Sequence, residues 1–573
     1  MNSAIAKPLP SRDSATVIDR IIQRWRDAPE TPAFHMRTPQ GDRTITRADV
    51  LSRSHQWAEH YRRNGLKRGD LVIVLIDYRP DLIHAFVGAM IAGCIPSYMP
   101  YSTAKQDPAL YLRSHVELFR RIKAKAVVTV ESWLSDFGDV FSDEPFAVLK
   151  AEDFAAAPPP APADPGHWSE PVGVEDIALL QHSSGTTNLK KGVALSHRAI
   201  LAQADAYGDA IDLSPDDIIV SWLPLYHDMG LMACFILPLV NGIPVVMTDP
   251  FIWVREPHLL FDAIEQFGGT LCWLPNFAYH HLARVCGDGK RYDLSRMRAF
   301  IDCSEPCKEE TFRLFEATFA PMGVRRGQLQ TCYAMAETTY AATQSKIGEP
   351  TRSVTAETAL LVDTGEVRLT SDETKGMTFL SVGRPLDGTE IRIVDDANRP
   401  LGEGRTGEIS IKSSCLFSGY FELPEQTAEV LQDGWYRSGD LGFLLDGELY
   451  ITGRKKELII VRGRNFFAHD IEYVATTCAG VKPGRAVAVG VFNAAVGSEE
   501  VVIIAETQVP NPPEARKIAV GVKAALDERM GLQVRSVHLV EPGWLIKTTS
   551  GKISRKENLA KYTASTRTGA NKS

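Results

Sequence analysis

The segment Leu179–Gly192, LLQHSSGTTNLKKG, constrains this chain more than any other. An apolar run, Asp176-Ile-Ala-Leu-Leu-Gln181, leads into it and reads as a buried strand. Ser183, Ser184, Gly185, Thr186 and Thr187 follow at once, then Asn188, Lys190, Lys191 and Gly192. Small hydroxyl residues beside a glycine let the backbone come close to a polyanion. N–H groups and hydroxyls can then point at phosphate oxygens, and the lysines add positive charge. The same residues can also make a plain solvated turn, and the pattern is not a G-x-x-x-x-G-K-[ST] loop.

Strands and helices alternate before this loop. Residues 15–27 read as an amphipathic helix with Val17, Ile18, Ile21, Ile22 and Trp25 on one face. Thr46 is placed to cap a helix running to about Arg63, with Gly65 as its stop. Leu71–Ile76, Gly93–Tyr98 and Lys125–Val130 read as strands, and Asp81–Ala92 as a helix. The alternation predicts a mostly parallel sheet covered on both faces. At 573 residues the chain should hold more than one domain. Ala155–Gly166, AAAPPPAPADPG, reads as a surface linker, because alternating Ala and Pro builds neither helix nor strand interior.

The net charge of −8 argues against a nucleic-acid binder. Nine scattered cysteines without a C-x-x-C pair suggest reduced thiols in a cytoplasmic protein. The N-terminus shows no apolar core of a signal peptide. Gly230–Met247 is the most apolar segment, but Pro238, Asn241, Gly242 and Pro244 interrupt it. It reads as a buried helix followed by a buried strand rather than a membrane span. Nothing in the sequence sets the oligomeric state.

Further along, Ser221–Leu231, SWLPLYHDMGL, sets His227 and Asp228 beside Trp222, Leu223, Leu225 and Tyr226. A histidine beside an apolar pocket suits a carboxylate ligand, although it can equally be a core residue paired with its aspartate. Leu274-Pro-Asn-Phe-Ala-Tyr279 is a second aromatic stretch. Cys303-Ser-Glu-Pro306 follows a strand-like run, and Thr331-Cys-Tyr-Ala-Met-Ala-Glu337 ends another. Open α/β sheets bind ligands at the carboxyl ends of their parallel strands. Tyr333 and Glu337 therefore stand where an aromatic shelf and an anion can serve a nucleotide and its metal. From Ser381 short strands with Gly turns appear, namely Glu390–Val394, Gly407–Ile411, Gly434–Arg437 and Glu448–Thr452, with Gly439 and Asp440 after the third. Gly453-Arg-Lys-Lys-Glu457 is a charged connector, and a domain boundary is expected there. Lys547-Thr-Thr-Ser-Gly-Lys-Ile-Ser-Arg555, near the end, is a basic loop.

Each segment is weak alone, but their order and spacing together are specific. The chain resembles the adenylate-forming (ANL) superfamily of acyl-CoA synthetases, luciferases and nonribosomal-peptide adenylation domains, and within it the fatty acyl-AMP ligases. SSGTTNLKKG, SWLPLYHDMGL, PNFAY, CSEP, CYAMAE, YRSGDLG, GRKKELII and TTSGKISR carry the resemblance, over about residues 30–556. Asn188, Lys190, Ala334 and Ile546 depart from the usual Gly, Pro, Gly and Pro. None of these changes removes a charged participant.

The resemblance implies an α/β fold with two domains. Residues 1–453 would form a large domain of mostly parallel sheets with helices plus a distorted β subdomain. Residues 454–573 would form a small mobile α+β domain. It implies attack of a carboxylate on the α-phosphorus of ATP, giving an acyl-adenylate and pyrophosphate. Ser183, Ser184, Gly185, Thr186, Thr187 and Lys191 would close over the phosphates, and Thr186 and Glu337 would hold Mg²⁺. Tyr333, with Ala334, Met335 and Ala336, would face adenine across from Ser304, Glu305 and Pro306. Asp440 would accept the ribose hydroxyls, with Arg454 nearby. Lys552 would bridge the acyl carboxylate and the α-phosphate, and Lys456 would mark the hinge. His227 would line the acyl entrance beside Trp222, Phe277 and Tyr279.

For the acceptor, the resemblance leaves CoA or the phosphopantetheine arm of an acyl carrier protein. The stretch between Glu337 and Gly383 is long enough for the insertion of the acyl-AMP ligases. Its Ala359-Leu-Leu-Val-Asp and Glu366-Val-Arg-Leu segments are expected to form a small hairpin. A non-catalytic binding protein that kept the fold is the alternative from another class. Lys552, Glu337, Asp440 and Arg454 together argue against it.

Overall fold

The computed structural model describes residues 15–26, 28–38, 41–101, 108–137, 141, 144–154, 172–182, 191–287, 289–372, 374–461, 464–493, 498–508, 512–547 and 553–570. The linker read at 155–166, the loop residues 183–190, Thr186 among them, and Lys552 lie outside that set.

Local chemistry sets the first helices. Thr16 and Asp19 form a capping box at the helix Val17–Trp25, whose buried face is Val17, Ile18, Ile21, Ile22 and Trp25. Thr46 and Asp49 do the same for Arg47–Arg63. Among the described residues the main sheet has nine strands. Six run parallel, in the spatial order Leu329–Ala334, Ala299–Asp302, Leu271–Leu274, Ile219–Ser221, Val245–Thr248 and Pro32–Thr38. Antiparallel strands close the edges: Ala341–Gln344 and Arg384–Pro385 at one, Gly41–Thr46 at the other. The four strands between Ile219 and Asp302 are buried at every residue, which is why they read as continuous apolar runs rather than alternating ones. A second, four-stranded parallel sheet holds Ile95–Tyr98, Leu71–Val74, Ala126–Thr129 and Ala147–Lys150.

The apolar segment 230–247 is a buried helix and strand, as expected, but the helix starts as a π-helix, Met229–Ile236, before Leu237–Asn241 winds normally. Gly230 sits where a Cβ would lie 2.3 Å from the Pro224 carbonyl oxygen, so no larger residue fits that turn. Among the described residues no helix is long and apolar enough to cross a membrane.

The short strands after residue 381 form an antiparallel sheet of Thr389–Val394, Gly407–Ser413, Trp435–Leu445, Leu431–Gln432 and Glu448–Arg454. The insertion differs from expectation. A hairpin is present, but Ser353–Glu357 and Gly376–Leu380 form it. The Ala359-Leu-Leu-Val-Asp segment is a helix, Thr358–Thr364, that ends at Gly365 with φ +69°. Leu361 and Val362, side by side, pack into two different cores, as adjacent helical positions do, and a glycine at the left-handed stop favours helix over strand.

The last residues pack around cores of their own. Ala468–Thr477 and Pro512–Met530 pack near Ala486–Asn493, Ser498–Glu506 and Ser536–Val540. Val362 and Met377 of the insertion join that core beside Phe466 and Ile471. Asp363 adds an ion pair with Arg464 at 3.0 Å.

Candidate active site

Three separate elements meet at Asp440. The strand Trp435–Leu445 bulges there: Leu441 pairs with Glu408 and Arg437 with Ser410, so Ser438, Gly439 and Asp440 together stand opposite Ile409. Gly439 takes φ +73°, and the Ser438 hydroxyl accepts from the Asp440 N–H at 3.1 Å. The bulge aims Asp440 at the end of the parallel strand Leu329–Ala334. There the Tyr333 hydroxyl donates to Asp440 Oδ2 at 2.7 Å, and Arg454 Nε donates to Oδ1 at 2.9 Å. A carboxylate has about four acceptor positions, so Asp440 retains capacity for further hydroxyls. Burial pushes the Tyr333 phenol well above its ordinary range, which keeps it a donor. The Asp440 charge, the larger influence, raises Arg454.

Glu337 forms a second cluster. After Tyr333 the chain runs through Ala334, Met335 and Ala336 into a 3-10 turn, Ala336–Thr338. Thr339 follows with φ +63°, a strained conformation for a β-branched residue, held by its hydroxyl on the Cys415 carbonyl at 2.6 Å. Glu337 Oε1 accepts from the Tyr420 hydroxyl at 2.9 Å. Lys191 Nζ lies 4.1 Å from the centre of the same tyrosine ring. Tyr420 reaches both because Gly419–Tyr420 pairs with Gly192–Ser196, the strand that follows the Ser/Thr-rich loop. The sequence reading did not select Tyr420. Burial raises the Glu337 carboxyl, against the Tyr420 hydrogen bond. Burial first, then Lys456, lowers Lys191. Lys456 itself sits in the short 3-10 turn Lys455–Glu457.

Ser304, Glu305 and Pro306 follow the strand Ala299–Asp302, with Ser304 at φ +68°. Glu305 Oε2 accepts from the Phe277 N–H at 3.1 Å. It thereby satisfies one of the open donors at the start of the helix Asn276–Cys286, which has no side-chain N-cap. This bond ties the expected adenine wall to the expected acyl cleft.

At the acyl end, Trp222 and Trp253 stack at 3.7 Å and 5°. Phe277 sits edge-on to both, at 6.0 and 6.5 Å, and is 43% exposed. His227 Nδ1 lies 2.5 Å from Asp228 Oδ1. That contact is an ion pair only with the imidazole protonated, and it is not aligned as a hydrogen bond. Tyr279 does not join them; it is fully buried against Phe312 and Phe315 of the helix Glu309–Phe319. Elsewhere in the core, a void of about 10 Å³, room for roughly one water, has Ile200, Gln203, Tyr207, Met232 and Tyr340 among its lining residues. Asp302 is wholly buried, and among the described residues neither of its carboxylate oxygens has a hydrogen-bond partner.

Residues 22–421 match the family model described as "AMP-binding enzyme". A Caulobacter vibrioides (strain NA1000 / CB15N) protein described as an acyl-CoA synthetase is 31% identical over 516 residues, covering 88% of this chain and 87% of that one. The medium-chain-fatty-acid–[acyl-carrier-protein] ligase JamA of Moorena producens (strain JHB) is 32% identical over 412 residues, 69% of each chain. A structure from a study of fatty acyl-adenylate ligases of E. coli and L. pneumophila superposes with a TM-score of 0.87 at 27% identity. The match covers 98% of this chain and all of that one.

Proposed function

The chain belongs to the AMP-binding enzyme family, and from that premise we propose that it joins ATP to an apolar carboxylic acid, giving an acyl-adenylate and pyrophosphate. One observation carries this reading: Tyr333, Asp440 and Arg454 converge from three elements at the end of a parallel strand, with Glu337 close by. A carboxylate oxygen attacks the α-phosphorus, and the bond to the pyrophosphate oxygen breaks. Such chemistry depends on positioning and charge stabilisation. Tyr333 faces the base across from Ser304, Glu305 and Pro306, and Asp440 takes the ribose hydroxyls with its remaining acceptor positions. Lys191 and the residues 183–187 meet the phosphates. Lys552 meets the α-phosphate and the acyl carboxylate.

Glu337 fits a hard divalent cation: its oxygen donor is a partly buried carboxylate, oriented by Tyr420. Glu337 and Thr186 would hold Mg²⁺, which supplies charge neutralisation at the phosphate oxygens when bound. Trp222, Phe277 and His227 line the acyl side, an apolar cleft with few polar groups.

Residues 1–453 then act as the large domain and 454–573 as a small domain that turns about Lys456. For the second step we favour the phosphopantetheine thiol of an acyl carrier protein, which attacks the acyl carbonyl and releases AMP. The support is the insertion, whose Val362, Asp363 and Met377 pack against Phe466 and Arg464. Contacts there disfavour any pose in which the small domain has turned away, and a few kcal/mol suffices to make such a pose rare. The second reading has CoA as acceptor, and the Caulobacter relative's name favours it. The nine free cysteines support a reducing, cytoplasmic location.

The test is carboxylate-dependent exchange of labelled pyrophosphate into ATP across a panel of acids. Exchange with medium or long aliphatic acids is expected. No exchange with any acid would return the chain to a non-catalytic binding role.

A further inference from the structure

We infer that Lys308 is a positioning residue, whose ion pair with Asp470 seats the C-terminal region over the nucleotide site for adenylate formation. The inference rests on the adenylation reading above but on neither choice of acceptor. Lys308 comes two residues after Pro306, directly before the helix Glu309–Phe319. Its Nζ lies 3.0 Å from Asp470 Oδ1, in the first turn of the helix Ala468–Thr477. The two side chains are only 19% and 8% exposed. His469 Nε2 stands 3.3 Å from the same oxygen, and the Tyr473 ring centre is 5.4 Å from Lys308 Nζ. An exposed pair of this kind would do little. A buried one is different, because removing one partner leaves the other charge stranded out of water.

The same helix makes a second set of charged contacts. Glu472 accepts from Arg555 Nε at 2.8 Å and from its terminal nitrogen at 2.6 Å. Arg555 also meets Glu457 at 2.5 Å. Glu457 is three residues beyond Arg454, which holds Asp440, and Arg555 is three residues beyond Lys552. One helix therefore faces the expected adenine wall through Asp470 and the segment after Lys552 through Glu472. A turn about the connector would carry Glu457, Glu472 and Arg555 together and leave that cluster whole. It would separate Lys308 from Asp470. The connector is close-packed as well: a Cβ on Gly453 would fall 2.3 Å from Phe467 and 2.8 Å from His469.

The experiment measures both half-reactions in the enzyme for Lys308→Met, Lys308→Arg, Lys308→Asp and the exchanged pair Lys308→Asp with Asp470→Lys. Lys308→Met should slow pyrophosphate exchange about tenfold or more, with ATP affinity and use of preformed acyl-adenylate within about twofold of wild type. Lys308→Arg should keep most of the exchange, and the exchanged pair should recover activity above the Lys308→Asp single variant. Unchanged exchange in Lys308→Met, equal loss in both half-reactions, or no recovery in the exchanged pair would overturn the inference while leaving the reaction intact. Wild-type enzyme that exchanges no pyrophosphate would overturn the reaction itself and this inference with it.

Discussion

The two ends of the candidate site are built on opposite terms. At the nucleotide end the polar groups hold one another: Tyr333 and Arg454 on Asp440, Tyr420 on Glu337, with Lys191 over the Tyr420 ring. At the acyl end the surfaces are mostly aromatic, with the stacked Trp222 and Trp253 and the edge of Phe277. Among the described residues Trp222 Nε1 and Trp253 Nε1 have no hydrogen-bond partner. On the proposed reading the first end recognises charge through fixed geometry, so losing one group should be severe. On the same reading the second recognises size through apolar contact, so its losses should be graded.

The sharpest break in the contrast is expected at Lys552. Lys552→Ala should slow adenylate formation roughly 10²–10³-fold, the scale for removing one group that stabilises transition-state charge. Transfer from preformed acyl-adenylate should be far less affected, and paired half-reaction assays decide it. Next comes Asp440→Ala, which should weaken ATP binding by about 1.5–3 kcal/mol in calorimetry. Unchanged affinity would move the nucleotide site elsewhere.

Asp302, buried on the strand that leads to Ser304–Pro306, tests a polar group without a hydrogen-bond partner. Burial raises its carboxyl well above the usual range. Below the ordinary aspartate range both the folded and the unfolded chain hold the proton, and nothing is lost. As pH rises past that range the unfolded chain ionises first, so stability falls by about 1.4 kcal/mol per pH unit until the folded group titrates. Asp302→Asn should abolish this term. Its stability relative to wild type should therefore climb with pH in denaturant titrations, and a gap that does not change with pH would refute the assignment. The smallest effect is the graded one. Each added methylene of the acid should contribute about 0.8 kcal/mol to kcat/KM until the cleft is full, and Trp222→Ala should shift the preferred length. A preference for acetate would contradict an apolar cleft.

Much of this was legible in the sequence where local chemistry decides. Thr16 and Thr46 cap helices because each has an aspartate three residues on. The central strands are apolar throughout because both faces are covered. Legibility ends where a distant partner decides. Tyr420 lies 83 residues from Glu337, and only the pairing of its two-residue strand beside Val193 brings it in. Phe277 and Tyr279 looked alike in one aromatic run. They sit two apart on a helix, where such positions face different ways, so Phe277 stands half-exposed beside Trp222 and Tyr279 lies in the core. In the insertion, an apolar run that suited a strand became a helix, and Gly365 was the signal that distinguishes the two.

Product analysis decides between carrier protein and CoA as acceptor. The intact enzyme is supplied with ATP, Mg²⁺, a medium-chain fatty acid and CoA, first alone and then with a holo acyl carrier protein. Acyl-adenylate and pyrophosphate are expected in both cases, with little acyl-CoA, and acylated carrier protein once it is present. Rapid, stoichiometric acyl-CoA would contradict this expectation and establish CoA as the acceptor.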